Sequence, residues 1–414
     1  ASIMANFLHL PADEPGFFDP ALEFSRYVYL LIGQDPGAID EKISDQKAFD
    51  LALENLDQIF SQAGEKEKEK ETVEGALNVV CWLFQRVLEN NTAPAEAVTL
   101  VDKFLQRLRS DVTLHPTLRL KTMSTIYNIL GGNGTARYNT FLAIVEYAAA
   151  AGKEHFALVT SQFDQLESML GEWGTDIQKT RALYQVIFDS MAKHDSRDKA
   201  HQFRIKYLES FQGERNLEEA KVQANIAVVE AISDPKIYQY DTYLELNAIR
   251  ALENDSKHGK TFTLLQLFSH DNLEGFNKFY ASSSSYVESL GLKKEECILK
   301  MRLLTLCSLA ANSKEIGYAE IAQNLQVQES EVESWAIKAI TAELMDAKMD
   351  QLNKVLVINH CKDRIFSKAK WTELRSKLVG WKDRIKQLMM VLENAKVQQQ
   401  QQQMMQIQAQ MQSM

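Results

Sequence analysis

Apolar residues recur at helical spacing along most of the chain. Stripes with a period near 3.6 residues cover 77–88, 123–130, 141–148, 183–191 and 222–229, and short polar or glycine-containing turns separate them. Strand-like alternation is nearly absent before residue 316. Because each amphipathic helix needs a neighbour to cover its apolar stripe, the pattern predicts a mainly α protein in which antiparallel helix pairs stack as a helical-repeat solenoid.

The turn GGNG at 131–134 follows one of these stripes. It lacks the Lys-Ser/Thr pair of a phosphate-binding loop, and it follows a helix, whereas a phosphate loop follows a strand. We therefore expect it to cap the C-terminus of the preceding helix and to bind no phosphate.

The pattern changes in the segment 316–359. Two short amphipathic stretches are followed by strand-like runs at 347–349 and 355–358, which flank a turn of hairpin length at 352–354. Ser330 and Glu333 fit a capping box that would start the second helix near Glu331. The residues expected in the core are Ile321, Leu325, Val327, Val332, Trp335, Ala336, Ala339 and Ile340. This order predicts a winged helix, and a plain helical hairpin is the alternative.

A heptad pattern marks the next segment. Apolar residues at alternating spacings of three and four form a seam, which consists of Trp371, Leu374, Leu378, Trp381, Ile385, Leu388 and Leu392. Such a helix lies in a groove between other helices or forms a coiled coil, and its opposite face is expected to be basic. The following tract at 398–414 is rich in Gln and Met and carries no charge, which predicts a disordered or loosely helical tail that the protein can lose.

These patterns divide the chain into six parts. They are an N-terminal helical segment at 1–63, a charged linker at 64–75, a helical-repeat array at 76–300, a winged helix at 301–366, a heptad helix at 367–397 and the Gln/Met-rich tail at 398–414. The linker is expected to be exposed and mobile, because its alternating Glu and Lys offer no apolar face.

Charge argues against the usual role of a winged helix. The segment 315–350 has a net charge of −6, and the whole chain of 414 residues has a net charge of −10. A helix that reads DNA presents Arg, Lys, Asn or Gln to the bases, so we expect no DNA binding. No apolar run is long enough to span a membrane and the N-terminus lacks a basic signal-peptide start, so a cytoplasmic location is expected.

Motifs for chemistry are missing from the sequence. The four cysteines show no C-x-x-C spacing, the eight histidines are scattered, and no nucleophile elbow or H-E-x-x-H motif occurs. The apolar neighbours of the cysteines predict buried free thiols, as in a reducing compartment. We therefore expect no catalytic, cofactor-binding or metal-binding residues.

Several segments resemble the PCI-domain family of scaffold subunits, and within it the M subunits of eukaryotic translation initiation factor 3. The similar segments are LRLKTMSTIYNIL at 118–130, AISDPKIYQYDTYLEL at 231–246, TFTLLQLFSHDNLEGFNKFY at 261–280, SLGL at 289–292 and ILKMRLLTLCSLAANSKEIGYAEIAQNLQV at 298–327. Together with the heptad helix, the resemblance runs from about residue 75 to residue 396. It is weak in the first 60 residues and in the Gln-rich tail.

The resemblance implies a non-catalytic scaffold that supports assembly of the 43S pre-initiation complex, binding of the 40S ribosomal subunit and recruitment of mRNA. It implies contacts with other subunits of the factor, chiefly F and H, through paired winged-helix sheets and a bundle of C-terminal helices. The residues carried over as interfaces are Val355, Leu356, Val357 and Ile358 together with the heptad seam. The alternatives are a scaffold of the COP9 signalosome or proteasome lid, a nucleic-acid-binding winged helix and an enzyme.

Overall fold

The computed structural model describes residues 19–40, 42–62, 67–90, 94–194, 196–311, 313–364 and 368–412. The chain forms two compact units, Ala1–Phe211 and Gln212–Met414. Helices dominate both units, so the predicted fold class is confirmed. Among the described residues, no helix combines the length and apolar character that crossing a membrane requires.

The first unit consists of helices joined by short turns. They are α1 (Pro20–Leu31), α2 (Asp45–Glu54), α3 (Leu56–Ser61), α4 (Glu67–Asn90), α5 (Pro94–Leu108), α6 (Pro116–Ile129), α7 (Gly134–Ala151), α8 (Lys153–Thr160), α9 (Leu166–Trp173), α10 (Ile177–Lys193) and α11 (Arg197–Glu209). Consecutive helices pack in pairs such as α6 with α7 and α10 with α11. Their apolar stripes meet in the interior, where the rings of Phe49, Phe84 and Phe104 have centroids 5.4–5.8 Å apart.

The prediction of a mobile linker at 64–75 is wrong from Glu67 onward. Helix α4 begins at Glu67 and continues to Asn90, while 64–66 lie outside the described residues. Glu and Lys are strong helix formers, so a segment rich in both extends a helix that begins to pack farther along. Val73 of this helix is fully buried, and Lys121 of α6 pairs with Glu74 at 3.0 Å.

The glycine-rich turn caps two helices rather than one. Gly131 has φ +50°, the left-handed conformation that ends a helix, so the predicted cap of α6 is confirmed. The Asn133 side chain accepts a hydrogen bond from the Ala136 amide and starts α7. A Cβ on Gly134 would lie 2.2 Å from the Trp173 carbonyl oxygen, so only glycine allows α7 to approach the end of α9 this closely.

The second unit joins helices to a small sheet. Its elements are α12 (Glu218–Ser233), α13 (Asp241–Glu245), α14 (Asn247–Arg250), α15 (Gly259–His270), α16 (Leu273–Ser289), α17 (Lys294–Ala310), β1 (Glu315–Gly317), α18 (Tyr318–Leu325), α19 (Val332–Thr341), β2 (Met345–Asp350), β3 (Val355–Cys361) and α20 (Lys368–Gln412). Helix α17 packs on α12 and α16 and, through Leu303 and Leu306, on the winged helix. The expected boundary at 300/301 therefore falls inside one helix.

The winged-helix core follows the prediction. Ile321, Leu325, Val332, Trp335, Ala336 and Ala339 are buried in one cluster, and Val327 and Ile340 pack against it half-buried. The capping box lies two residues earlier than expected, because a 3-10 turn at Glu329–Glu331 precedes α19. In that box Gln328 and Glu331 cap each other, and the Gln328 amide donates to the Glu331 carboxylate at 3.2 Å.

Buried cations stabilise the C-termini of several helices. Arg119 donates to the Leu108 carbonyl at 2.9 Å at the end of α5, and Arg181 donates to the Ser210 carbonyl at 2.8 Å just beyond α11. In the second unit, Lys300 donates to the Ala231, Ile232 and Asp234 carbonyls at the end of α12. The last carbonyls of a helix have no partner within it and carry partial negative charge, so a buried cation satisfies both needs.

The chain ends in a single helix, α20, of 45 residues. The tail at 398–414, predicted to be disordered or loosely helical, continues this helix over 398–412, so the disordered alternative is wrong there, while 413–414 lie outside the described residues. Gln and Met have good helix propensity and the tract has no Gly or Pro, so an existing helix propagates through it without a new nucleation step.

Candidate interaction surfaces

The winged-helix sheet has the strand order β1-β3-β2, with both pairs antiparallel. Strand β3 contains Val355–Cys361 and pairs with β1 on one side and with β2 on the other. The prediction that Val355, Leu356, Val357 and Ile358 form a pairing edge is therefore wrong, because backbone hydrogen bonds already occupy both sides of this strand. Leu356 is also fully buried in the core of its own domain.

The edge of the described sheet beyond β3 is β2. Its residues pair with β3 from Met345 opposite Cys361 to Asp350 opposite Val355, with an irregularity between Asp346 and Ala347. The exposed residues Asp346 and Lys348 place charges along this strand, and such charges and bulges limit indiscriminate pairing. The described sheet therefore has two edges, the three-residue strand β1 and the six-residue strand β2.

Acidic side chains of the winged helix support the fold. Glu331 closes the capping box, and Glu329 accepts an ion pair from Lys354 at 2.8 Å. Glu333 accepts hydrogen bonds from the Tyr318 hydroxyl at 3.3 Å and from the Gln351 amide at 3.0 Å. These contacts connect the first turns around α19 to the hairpin that joins β2 and β3. The face where a DNA reader would present basic side chains therefore carries carboxylates instead.

The heptad seam lies on α20 and is exposed over its whole length. The exposed fraction of its seven side chains runs from 37% at Leu374 to 69% at Leu392, and the two tryptophans Trp371 and Trp381 are about 60% exposed at 61% and 59%. Val379 and the run from Met389 to Val391 are exposed as well, and sequence reasoning did not include them. So large a continuous apolar surface is unusual for a protein that functions alone.

The basic residues of α20 lie beside the seam. With Trp371 at heptad position a, Arg375 and Lys382 occupy position e, and Lys377 and Arg384 occupy position g. Positions e and g flank the seam on its two sides, so the prediction of a basic face opposite the seam is wrong for these four residues. The face opposite the seam carries Ser376 and Asp383 at position f and Gln387 at position c.

Cys81, Cys297 and Lys300 carry reactive groups, and all three side chains are buried. Burial raises the pKa of the Cys81 thiol to about 12 and that of Cys297 to about 11, so neither is a thiolate at neutral pH. Burial lowers the pKa of Lys300 to about 7, a value that suits a general base, but three backbone carbonyls accept from this amine. Within the described residues, no group of three or more His, Cys, Asp or Glu side chains could hold a metal ion.

Comparison with known proteins gives two family matches and many relatives. Residues 267–360 match the PCI domain, and residues 364–392 match the C-terminal helix of eIF3 subunit M. The chain is 32% identical to eukaryotic translation initiation factor 3 subunit M of Dictyostelium discoideum, over 82% of this chain and 83% of that protein. It is 28% identical to the human subunit M, over 77% of this chain and 82% of the human protein. It is 29% identical to the subunit M of Xenopus laevis, over 75% of this chain and 80% of that protein.

Proposed function

The chain belongs to the family of eukaryotic translation initiation factor 3 subunit M, and from that premise we propose that it enters the factor by burying the α20 seam among helices of other subunits. The chain is thus a PCI scaffold subunit of translation initiation factor 3. The observation that carries the proposal is the exposure of all seven seam residues on a helix within which the family match for the C-terminal helix lies.

The finer parts of the function rest on the same premise. The neighbouring subunits are F and H, and the assembled factor supports 43S pre-initiation complex formation, 40S binding and mRNA recruitment in the cytoplasm. The chain acts in this as a scaffold without catalysis, in keeping with the raised pKa of its buried thiols and with the three carbonyls that accept from Lys300. A second contact uses the backbone of β2, because this strand of six residues is the longer of the two edge strands of the described sheet.

The test is the double substitution Leu378→Asp with Ile385→Asp in the full chain. These side chains are 51% and 57% exposed in the free chain, so docking removes roughly half of their surface from water, worth about 1 kcal/mol or more each. An unpaired carboxylate in the same place adds a penalty of about 1–3 kcal/mol each. The docked state should lose about 4 kcal/mol or more, which is roughly a thousandfold in affinity.

The assay is the share of the variant in purified initiation factor 3 when it competes with wild type in the same cells. The variant should be nearly absent from the factor, while its helicity and unfolding midpoint as a free chain should stay at the wild-type values. Ser376→Asp with Gln387→Asp is the matched control, because it adds the same charges to the opposite face of α20. Normal entry of the seam variant would refute the proposal, and so would a markedly less stable free chain.

A further inference from the structure

The charged residues of the heptad helix occupy particular heptad positions. In its first two heptads, the positions on both sides of the apolar seam are basic: Arg375 and Lys382 form one row, and Lys377 and Arg384 form the other. Residues seven apart in a continuous helix lie on the same side, so each pair is a true row. The acidic residues Glu373, Asp383 and Glu393 occupy positions c, f and b, outside the two rows beside the seam.

The third heptad is flanked differently. Its positions e and g are Met389 and Val391, which are 57% and 64% exposed. The apolar surface therefore widens from a narrow seam between cationic rows, at Trp371 to Trp381, into a broad belt around Leu388 and Leu392. The two ends of the seam therefore differ. The N-terminal end has cations on both sides of a narrow apolar surface, and the C-terminal end has a wider apolar surface.

We infer that the seam is covered by a helix of a different chain whose own seam is flanked by Asp or Glu beside residues 375–384 and by apolar side chains beside residues 389–391. This inference rests on the proposed function and specifies the chemistry of its partner. In coiled-coil packing, the e and g residues of one helix lie next to those of its neighbour and set partner choice. Carboxylates on the neighbouring helix would attract the cations of both rows.

A second copy of this chain does not fit the same site. In a parallel pair, the g residues of one helix face the e residues of the other, and in an antiparallel pair like positions face each other. Both arrangements oppose cations to cations here, which is unfavourable. A phosphate backbone would attract the cations but would leave Leu378 and Trp381 between the rows without an apolar neighbour. An acidic-flanked helix satisfies both features.

The first experiment reverses each row in the full chain. We compare Arg375→Glu with Lys382→Glu, and Lys377→Glu with Arg384→Glu, by competition with wild type for entry into initiation factor 3. Each reversal replaces two attractions by two repulsions, so the share of variant should fall about tenfold. Lys153→Glu with Lys193→Glu is the control, because it makes the same change in net charge at exposed positions of the first unit. This control should enter the factor normally.

The second experiment identifies what lies against the rows. A carbodiimide joins a lysine amine to a carboxylate in direct contact, so in the intact factor Lys377 and Lys382 should link to Asp or Glu of another subunit. Lys386, at the outer position b, should link less. Reversing the linked carboxylates to lysine should restore entry of the reversed variants.

The outcomes separate the two proposals. If the row reversals enter the factor normally while Leu378→Asp with Ile385→Asp does not, the seam is buried but the acidic partner is refuted. If the seam variant also enters normally, the proposed function fails as well. Links from Lys377 or Lys382 to a second copy of this chain would overturn the inference. So would release of the wild-type chain from the factor by ribonuclease.

Discussion

Replacing Arg364 by Met should destabilise the second unit at one defined place. Arg364 is 7% exposed, and burial lowers its pKa only to about 10, so it is charged at neutral pH. Its guanidinium donates to the Phe268 carbonyl at 2.6 and 3.1 Å, to the Leu267 carbonyl at 3.0 Å and to the Ser308 hydroxyl at 3.3 Å. It thereby holds the chain just before α20 against the end of α15.

The size of the effect follows from the groups left behind. Met cannot donate, so the Phe268 and Leu267 carbonyls lose a charged donor, which costs about 1–3 kcal/mol for each buried acceptor. Burial of the apolar Met side chain offsets about 1 kcal/mol of this loss in the free energy of unfolding. The free energy of unfolding should fall by about 1–5 kcal/mol. Arg364→Lys keeps the positive charge and some hydrogen-bond donors, so its free energy of unfolding should fall by about half as much as that of Arg364→Met.

The assay combines urea unfolding of the full chain with hydrogen exchange of its amides. Because the chain forms two compact units, a global transition need not be two-state, and exchange locates the change. Protection should fall in the last turn of α15 and in the part of α17 around Ser308, with no change in the first unit. Arg375→Met, the same substitution at an exposed site of α20, is the control. A change below about 0.5 kcal/mol with unaltered exchange in α15 would refute the reasoning.

Three further predictions concern other parts of the chain. Gly134→Ala should lower stability by roughly 2–4 kcal/mol in denaturant unfolding, because its Cβ would overlap the Trp173 carbonyl, whereas Gly132→Ala, with no atom within 4 Å, should be near neutral. Deletion of 398–414 should leave entry into initiation factor 3 intact, since the described seam ends at Leu392; loss of co-purifying subunits would contradict this. The free chain should show no sequence-selective DNA binding in a low-salt mobility-shift assay, given the net charge of −6 over 315–350, and submicromolar selective binding would contradict it.

Local periodicity determined much of this protein. A helix or strand places neighbours in sequence on fixed faces, so the spacing of apolar residues was enough to predict the helical class, the winged helix and its buried residues such as Trp335. The seam of α20 came from the same argument. The cationic rows beside the seam could also have been found from the sequence, because heptad positions fix them once the helix is continuous.

Tertiary structure decided what periodicity does not encode. The three residues of β1 are too few to show alternation, yet their pairing with β3 makes β3 the central strand and leaves β1 and β2 as the two edges of the sheet. The contacts of the buried cations are also set by tertiary structure. Arg364 donates to the carbonyl of Phe268, 96 positions earlier in the chain, and no local spacing relates these two residues. A buried carbonyl at the end of a helix can accept a hydrogen bond from any donor that the fold brings near. The identity of that donor therefore depends on the tertiary structure.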